Sequence, residues 1–160
     1  MINIKDKINS NITHTMKVFS SAFENEGKIP SEFTCDGQDI SPPLSITDVP
    51  KEAKTISIVM DDPDAPMGTF THWIVWNIPS LKTQFAKGEK LDFGQGRTSF
   101  GMTEYGGPCP PSGIHRYFFK IYALDTKLDL KQGSSVKDLE KAMSGHVLAE
   151  SVLMGKYSRI

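Results

Sequence analysis

Three carboxylates, Asp61, Asp62 and Asp64, share the run DDPDAP with two prolines, and the triplet THW with His72 follows closely. A second run, YGGPCPPSGIHRY, carries Gly107, Cys109, His115 and Tyr117. Carboxylates and imidazoles of this kind can serve three chemistries. They suit zinc or iron, but the chain has no H-x-x-x-H or similar ligand spacing, so no metal is expected. Cys109 with His115 could act as nucleophile and base in a hydrolase, yet no G-x-S-x-G-like elbow accompanies them. The third is anion binding. A carboxylate beside an imidazole favours the imidazolium, which together with backbone N–H groups of a glycine-rich loop binds phosphate or carboxylate. On this reading anion affinity falls as pH rises through the histidine titration.

The elements that must bring these residues together read as strands. AKTISIVM (53 to 60), THWIVWNI (71 to 78) and HRYFFKIYAL (115 to 124) are rich in β-branched and aromatic residues; MKVFSSAF (16 to 23) and SVLMGKYSR (151 to 159) are weaker strand signals. Alternation along the first strand puts Ile56, Ile58, Met60 and Asp62 on one face. The same count groups His72 with Ile74, Trp76 and Ile78, and His115 with Tyr117, Phe119 and Ile121. Antiparallel pairing of the first two strands brings Asp62 near His72, and His115 joins them if its strand starts at the same end. Taken singly, each histidine reads as a half-buried residue satisfied by a backbone carbonyl. The shared end position and core-facing parity favour a ligand pocket.

SVKDLEKAMSGH predicts one helix near the C-terminus, with Ser135 and Asp138 as a capping box and Gly145 as a stop. Strands separated by turns, with helix confined to the end, predict a mainly β chain folded as an antiparallel β-sandwich with few short helices. Six glycines and three prolines crowd residues 94 to 113, an aperiodic stretch expected to line or cover the site.

Composition narrows the function further. The 160 residues fit a single domain, here residues 16–160, after a polar, patternless extension over residues 1–15 that reads as a loose tail or the product of an upstream start codon. Eighteen basic against 19 acidic residues, a net charge of −1 and no basic run argue against nucleic acid or an anionic membrane surface as partner. With no bilayer-length apolar run and no secretory leader, a cytoplasmic location is expected. In that reducing setting Cys35 and Cys109, which form no C-x-x-C pair, read as free thiols, with a crosslink between their two loops as the alternative.

DDPDAP followed by THW, together with YGGPCPPSGIHRY, resembles the phosphatidylethanolamine-binding protein family. CDGQDISPPL and GHVLAESVLMGKYSR are similar to its bacterial Raf-kinase-inhibitor-like branch, and the likeness runs from about Met16 to the C-terminus. The resemblance implies a β-sandwich with a small anion-accepting pocket at one end. It maps Asp62, Asp64, His72, His115 and Tyr117 onto the family's pocket residues, and the loop from Gly107 to Pro111, with Cys109 inside it, onto the backbone approaching the anion. Together with the residue reading it points to a non-enzymatic protein without cofactor, acting by binding a small anionic, phosphate-bearing or carboxylate-bearing ligand or a protein partner, as a kinase or protease inhibitor or signalling modulator. The segment between DPDAP and His72 is shorter than in eukaryotic relatives, and their C-terminal helix is lacking.

Overall fold

The computed structural model describes residues 15–159, so almost all of the expected extension over residues 1–15 lies outside the described residues. Strands β1 (Lys17–Phe19), β2 (Leu44–Thr47) and β5 (Gln84–Phe85) form a small sheet in the order β1-β2-β5. Strands β3 (Thr55–Asp62), β4 (Phe70–Pro79), β6 (Gly94–Gln95), β7 (His115–Leu124) and β8 (Val147–Tyr157) form a larger one in the order β6-β4-β3-β7-β8. Every pairing within the two sheets is antiparallel.

The main core lies between the sheets. Val18, Leu44, Ile46 and Phe85 from the small sheet meet Ile56, Ile58, Met60, Tyr117, Phe119 and Ile121 from the large one. A second apolar cluster covers the opposite face of the large sheet, where Val59, Ile74, Trp76 and Leu124 pack against Leu139 and Met143 of helix α1 (Val136–Met143). All eight residues of central strand β3 are consequently buried, the pattern of a strand covered on both sides. The expected capping box is present: the Ser135 side chain accepts from the Asp138 N–H, and Asp138 accepts from the Ser135 N–H. Gly145, at φ 83°, takes the left-handed turn that follows the helix.

Strand β4 departs from simple alternation. Met60 pairs with Trp73 but Asp61 pairs with Thr71, so His72 is an extra residue, a β-bulge; a second slip lies between the Ile56–Ile78 and Ile58–Val75 pairs. Asn77 sits within that second slip at φ 60°, and its side chain exchanges two hydrogen bonds with the backbone of Leu128. The expected row His72, Ile74, Trp76, Ile78 is therefore broken. Trp73, Val75 and Ile78 face the main core, whereas Ile74 and Trp76 face α1.

The ends of the chain also differ from expectation. The strand signal over 16 to 23 yields only the three residues of β1 before the backbone bends. β8 begins at Val147, earlier than the 151 to 159 signal, because its first half is an edge with exposed Val147 and Leu148 and shows no alternation.

Candidate functional site

The antiparallel register puts the C-terminal end of β3 beside the N-terminal ends of both β4 and β7, with Asp62 opposite Phe70 and Asp61 opposite Phe118. That end of the large sheet opens into a cavity of about 440 Å3 lined by Asp62, His72, Cys109, His115 and Tyr117, with Phe70 and Phe100. The bulge is what admits His72. It turns the imidazole to the side of Asp62, where it packs edge-on against Tyr117 at 5.3 Å between ring centres. Parity alone would have sent it with Ile74 to the helix side.

Asp62 is held at both oxygens. Oδ2 accepts from Nδ1 of His115 at 2.6 Å, and Oδ1 accepts from the backbone N–H of Asp64 at 2.8 Å. Asp62, His72 and His115 are all buried. Nδ1 of His72 donates to the carbonyl of Gly106 at 2.7 Å, while the Gly106 N–H donates back to the His72 carbonyl. Since a carbonyl can only accept, this bond places the proton on Nδ1 and leaves Nε2 as an acceptor in the neutral ring. The surroundings of His72 run against the expected imidazolium. Burial pushes its pKa below the ordinary histidine value, and the opposing pull of the Gly106 carbonyl and of Asp62 is smaller.

Tyr117 is fully buried in the floor of the cavity, and among the described residues its hydroxyl finds no group to donate to, although the backbone N–H of Cys109 lies near enough to draw its pKa down a little. Burial first, then the charge of Asp62, raises its pKa, so it remains a neutral donor at any ordinary pH. A buried hydroxyl without a partner is uncommon and costs stability.

Two expected pocket residues stand elsewhere. The Asp64 carboxylate turns outward to Arg116, accepting from Nε at 2.9 Å, from Nη2 at 2.8 Å and from the Arg116 backbone N–H at 2.9 Å. The Arg116 guanidinium holds it down to about 2. Its role is to clamp the DPDAP turn to the start of β7, which sets Ala65, Pro66 and Met67 at the cavity wall. Gly107 does not line the cavity, and its N–H donates to Asp39 at 2.7 Å rather than toward an anion. A Cβ there would lie 2.3 Å from the Phe33 carbonyl oxygen, so only glycine permits this close approach of two loops.

The free-thiol expectation is overturned. Cys35 and Cys109 form a disulfide with a Cα–Cα distance of 5.4 Å. Their loops run side by side, with the Cys35 N–H donating to the Pro108 carbonyl, so the sulfurs meet despite their distance in sequence. A disulfide-bonded Cys109 has no thiolate to offer, which removes the nucleophile from the cysteine-hydrolase reading. Among the described residues no three His, Cys, Asp or Glu side chains cluster as metal ligands.

Phe70, Ser99 and Phe100 line the cavity without having been singled out in the sequence. Phe70 and Phe100 box the His72 ring at 5.0 and 5.2 Å between centres. Phe70 was within reach of strand pairing, since it sits directly opposite Asp62; Ser99 and Phe100 lie in aperiodic sequence that carries no such signal.

Comparison with known proteins agrees with this architecture. A protein of Methanothermobacter thermautotrophicus named UPF0098 protein is 50% identical over 150 residues, covering 90% of this chain and 99% of its own. The crystal structure of a phosphatidylethanolamine-binding protein homolog, CT736 of Chlamydia trachomatis, matches with a TM-score of 0.90 at 39% identity, covering 92% of this chain and 99% of that one. YbcL of E. coli, described as a member of the mammalian PEBP family, matches at 0.83 and 28% identity, covering 91% and 99%. The family model described as phosphatidylethanolamine-binding protein spans residues 19–158, most of both sheets and the whole cavity, and so the chain belongs to the phosphatidylethanolamine-binding protein family.

Proposed function

We propose that the chain is a binding protein, not a catalyst, and that it accepts a small phosphate-bearing group in the cavity bounded by Asp62, His72, His115 and Tyr117. The observation that carries this reading is the Tyr117 hydroxyl, a neutral donor buried in the cavity floor with nothing among the described residues to donate to. An oxygen-rich ligand supplies the missing acceptor, and the two imidazoles line the same cavity as further hydrogen-bonding groups. The apolar wall of Phe70, Phe100, Pro110 and Pro111 lowers the local dielectric, which strengthens each of those bonds. Partner modulation, whether of a kinase, a protease or a signalling protein, would follow from what the bound group is attached to.

Titration of the 15N-labelled protein with inorganic phosphate tests the reading. Shifts are expected at His72, Phe100, Cys109, His115 and Tyr117. Tyr117→Phe should weaken binding about tenfold, the worth of one hydrogen bond to a charged group. Phosphate binding that survives both Tyr117→Phe and His115→Ala unchanged would reject the site.

A further inference from the structure

The charges around the cavity do not fit a site that attracts anions by net positive charge. Among the described residues no lysine or arginine lines it. Arg116, the nearest guanidinium in sequence, is neutralised by Asp64 on the outer side of β7. The groups facing His72 are Asp62 from β3, His115 and Tyr117 from β7, and the carbonyls of Gly106 and Gly107 from the glycine-rich loop, with the charge of Asp39 felt from farther off. With Asp62 ionised, the Asp62–His115 pair sums to zero when the imidazole is protonated and to −1 when it is not. Tyr117 is neutral. A doubly charged anion would enter a site whose lining side chains carry no net positive charge in either state.

The tautomer of His72 adds a second constraint. Its Nδ1–H is committed to Gly106, and among the described residues no hydrogen bond is made to Nε2. A ligand oxygen approaching Nε2 with only lone pairs meets another lone pair and is repelled, whereas an oxygen that carries a hydrogen makes a bond. Burial of the ring, which opposes its protonation, keeps Nε2 in this accepting state.

We propose, on the basis of the phosphate-binding reading above, that the cavity selects anions that carry a proton, and that His72 Nε2 is the atom that reads it. The ligand class is then the protonated phosphate monoester or inorganic phosphate, with one P–OH donating to His72 and a P–O accepting from Tyr117. Sulfate, phosphodiesters and carboxylates, which have no proton to give at neutral pH, are discriminated against. The logic is that of any site whose polar atoms require a matching donor: the analogue lacking it leaves the acceptor unpaired.

Calorimetry at pH 7 with inorganic phosphate, sulfate, methyl phosphate and dimethyl phosphate decides the matter. Phosphate is expected to bind at least about tenfold more tightly than sulfate or dimethyl phosphate. Methyl phosphate should weaken as pH rises past about 6, where a monoester loses its last proton, whereas inorganic phosphate, protonated throughout this range, weakens less. An imidazolium mechanism would instead admit sulfate and weaken all four anions together as the histidine titrates. In His72→Gln, whose side-chain amide can turn an N–H toward the anion, the phosphate-to-sulfate ratio should fall toward one. The imidazole 15N spectrum of the unsubstituted protein supplies a readout independent of that variant, with Nε2 of His72 expected at the position of an unprotonated nitrogen. Equal binding of phosphate and sulfate, or a ratio unmoved in folded His72→Gln, overturns the inference while leaving phosphate binding in place. No binding of either anion overturns both.

Discussion

Strand β7 has an Asp–His pair at each end, and the two could hardly be placed more differently. At its start His115 bonds Asp62 at 2.6 Å, with the side chains 8% and 4% exposed. Just past its end Asp125 bonds Nδ1 of His146 at 2.8 Å, with the side chains 43% and 45% exposed. The residue types and the contact are the same. What differs is that water competes for every bond at Asp125–His146 and for almost none at Asp62–His115. The second pair is a weak surface contact near the entry to β8, whereas the first orients a ring beside a cavity and is expensive to disturb.

The most severe way to break this contrast is Asp62→Ala, which strands the His115 Nδ1–H and the Asp64 N–H in buried surroundings. A loss of about 3–5 kcal/mol is expected from breaking a buried pair, seen in thermal unfolding as a Tm lowered by roughly 10 °C. Removing the disulfide through Cys35→Ser, Cys109→Ser should cost about 2–4 kcal/mol by relaxing a long loop in the unfolded chain. It should also admit solvent to His115 and make its hydrogen–deuterium exchange more like that of His146.

Acid gives a smaller effect. Asp64 is depressed from 3.8 to about 2 in the folded protein, so its contribution is complete above pH 4 and is lost as pH falls through about 2. Because the Asp64–Arg116 pair is partly exposed, with side chains 29% and 49% accessible, solvent screening discounts that contribution to under about 1 kcal/mol. Asp64→Asn should flatten the stability profile between pH 4 and 2. Smallest of all is His146→Ala, expected to alter stability by less than about 0.5 kcal/mol and to leave phosphate binding unchanged. A loss at His146→Ala comparable to that at Asp62→Ala would show that exposure is not what separates the two pairs.

Much of this site could be read from the amino-acid order, in physical terms, because it depends on alternation in unbroken strands. β3 and β7 alternate without interruption at the cavity end, so Asp62 and His115 fall on the side of Met60 and Tyr117 as counting predicts. The count failed in β4. His72 reaches the cavity only because the ladder slips beside it, and no composition signal marks that slip. Asp64 and Gly107 were misplaced for a different reason. Each belongs to a motif that surrounds the cavity, but which way a loop side chain turns depends on partners brought from elsewhere, here Arg116 and Asp39. The state of the cysteines is not legible in sequence because it depends on two loops 74 residues apart lying side by side, a distance that composition does not encode. The paired state does not fit the reducing cytosol that was expected. No helix among the described residues is long and apolar enough to cross a membrane.

The two slips in β4 act like expansion joints in a rail. Between them the strand runs one residue out of phase with its neighbour, and beyond each of them the phase is reset. The cavity end and the far end of β4 thus present their side chains to the main-core side while the stretch between them is offset by one residue.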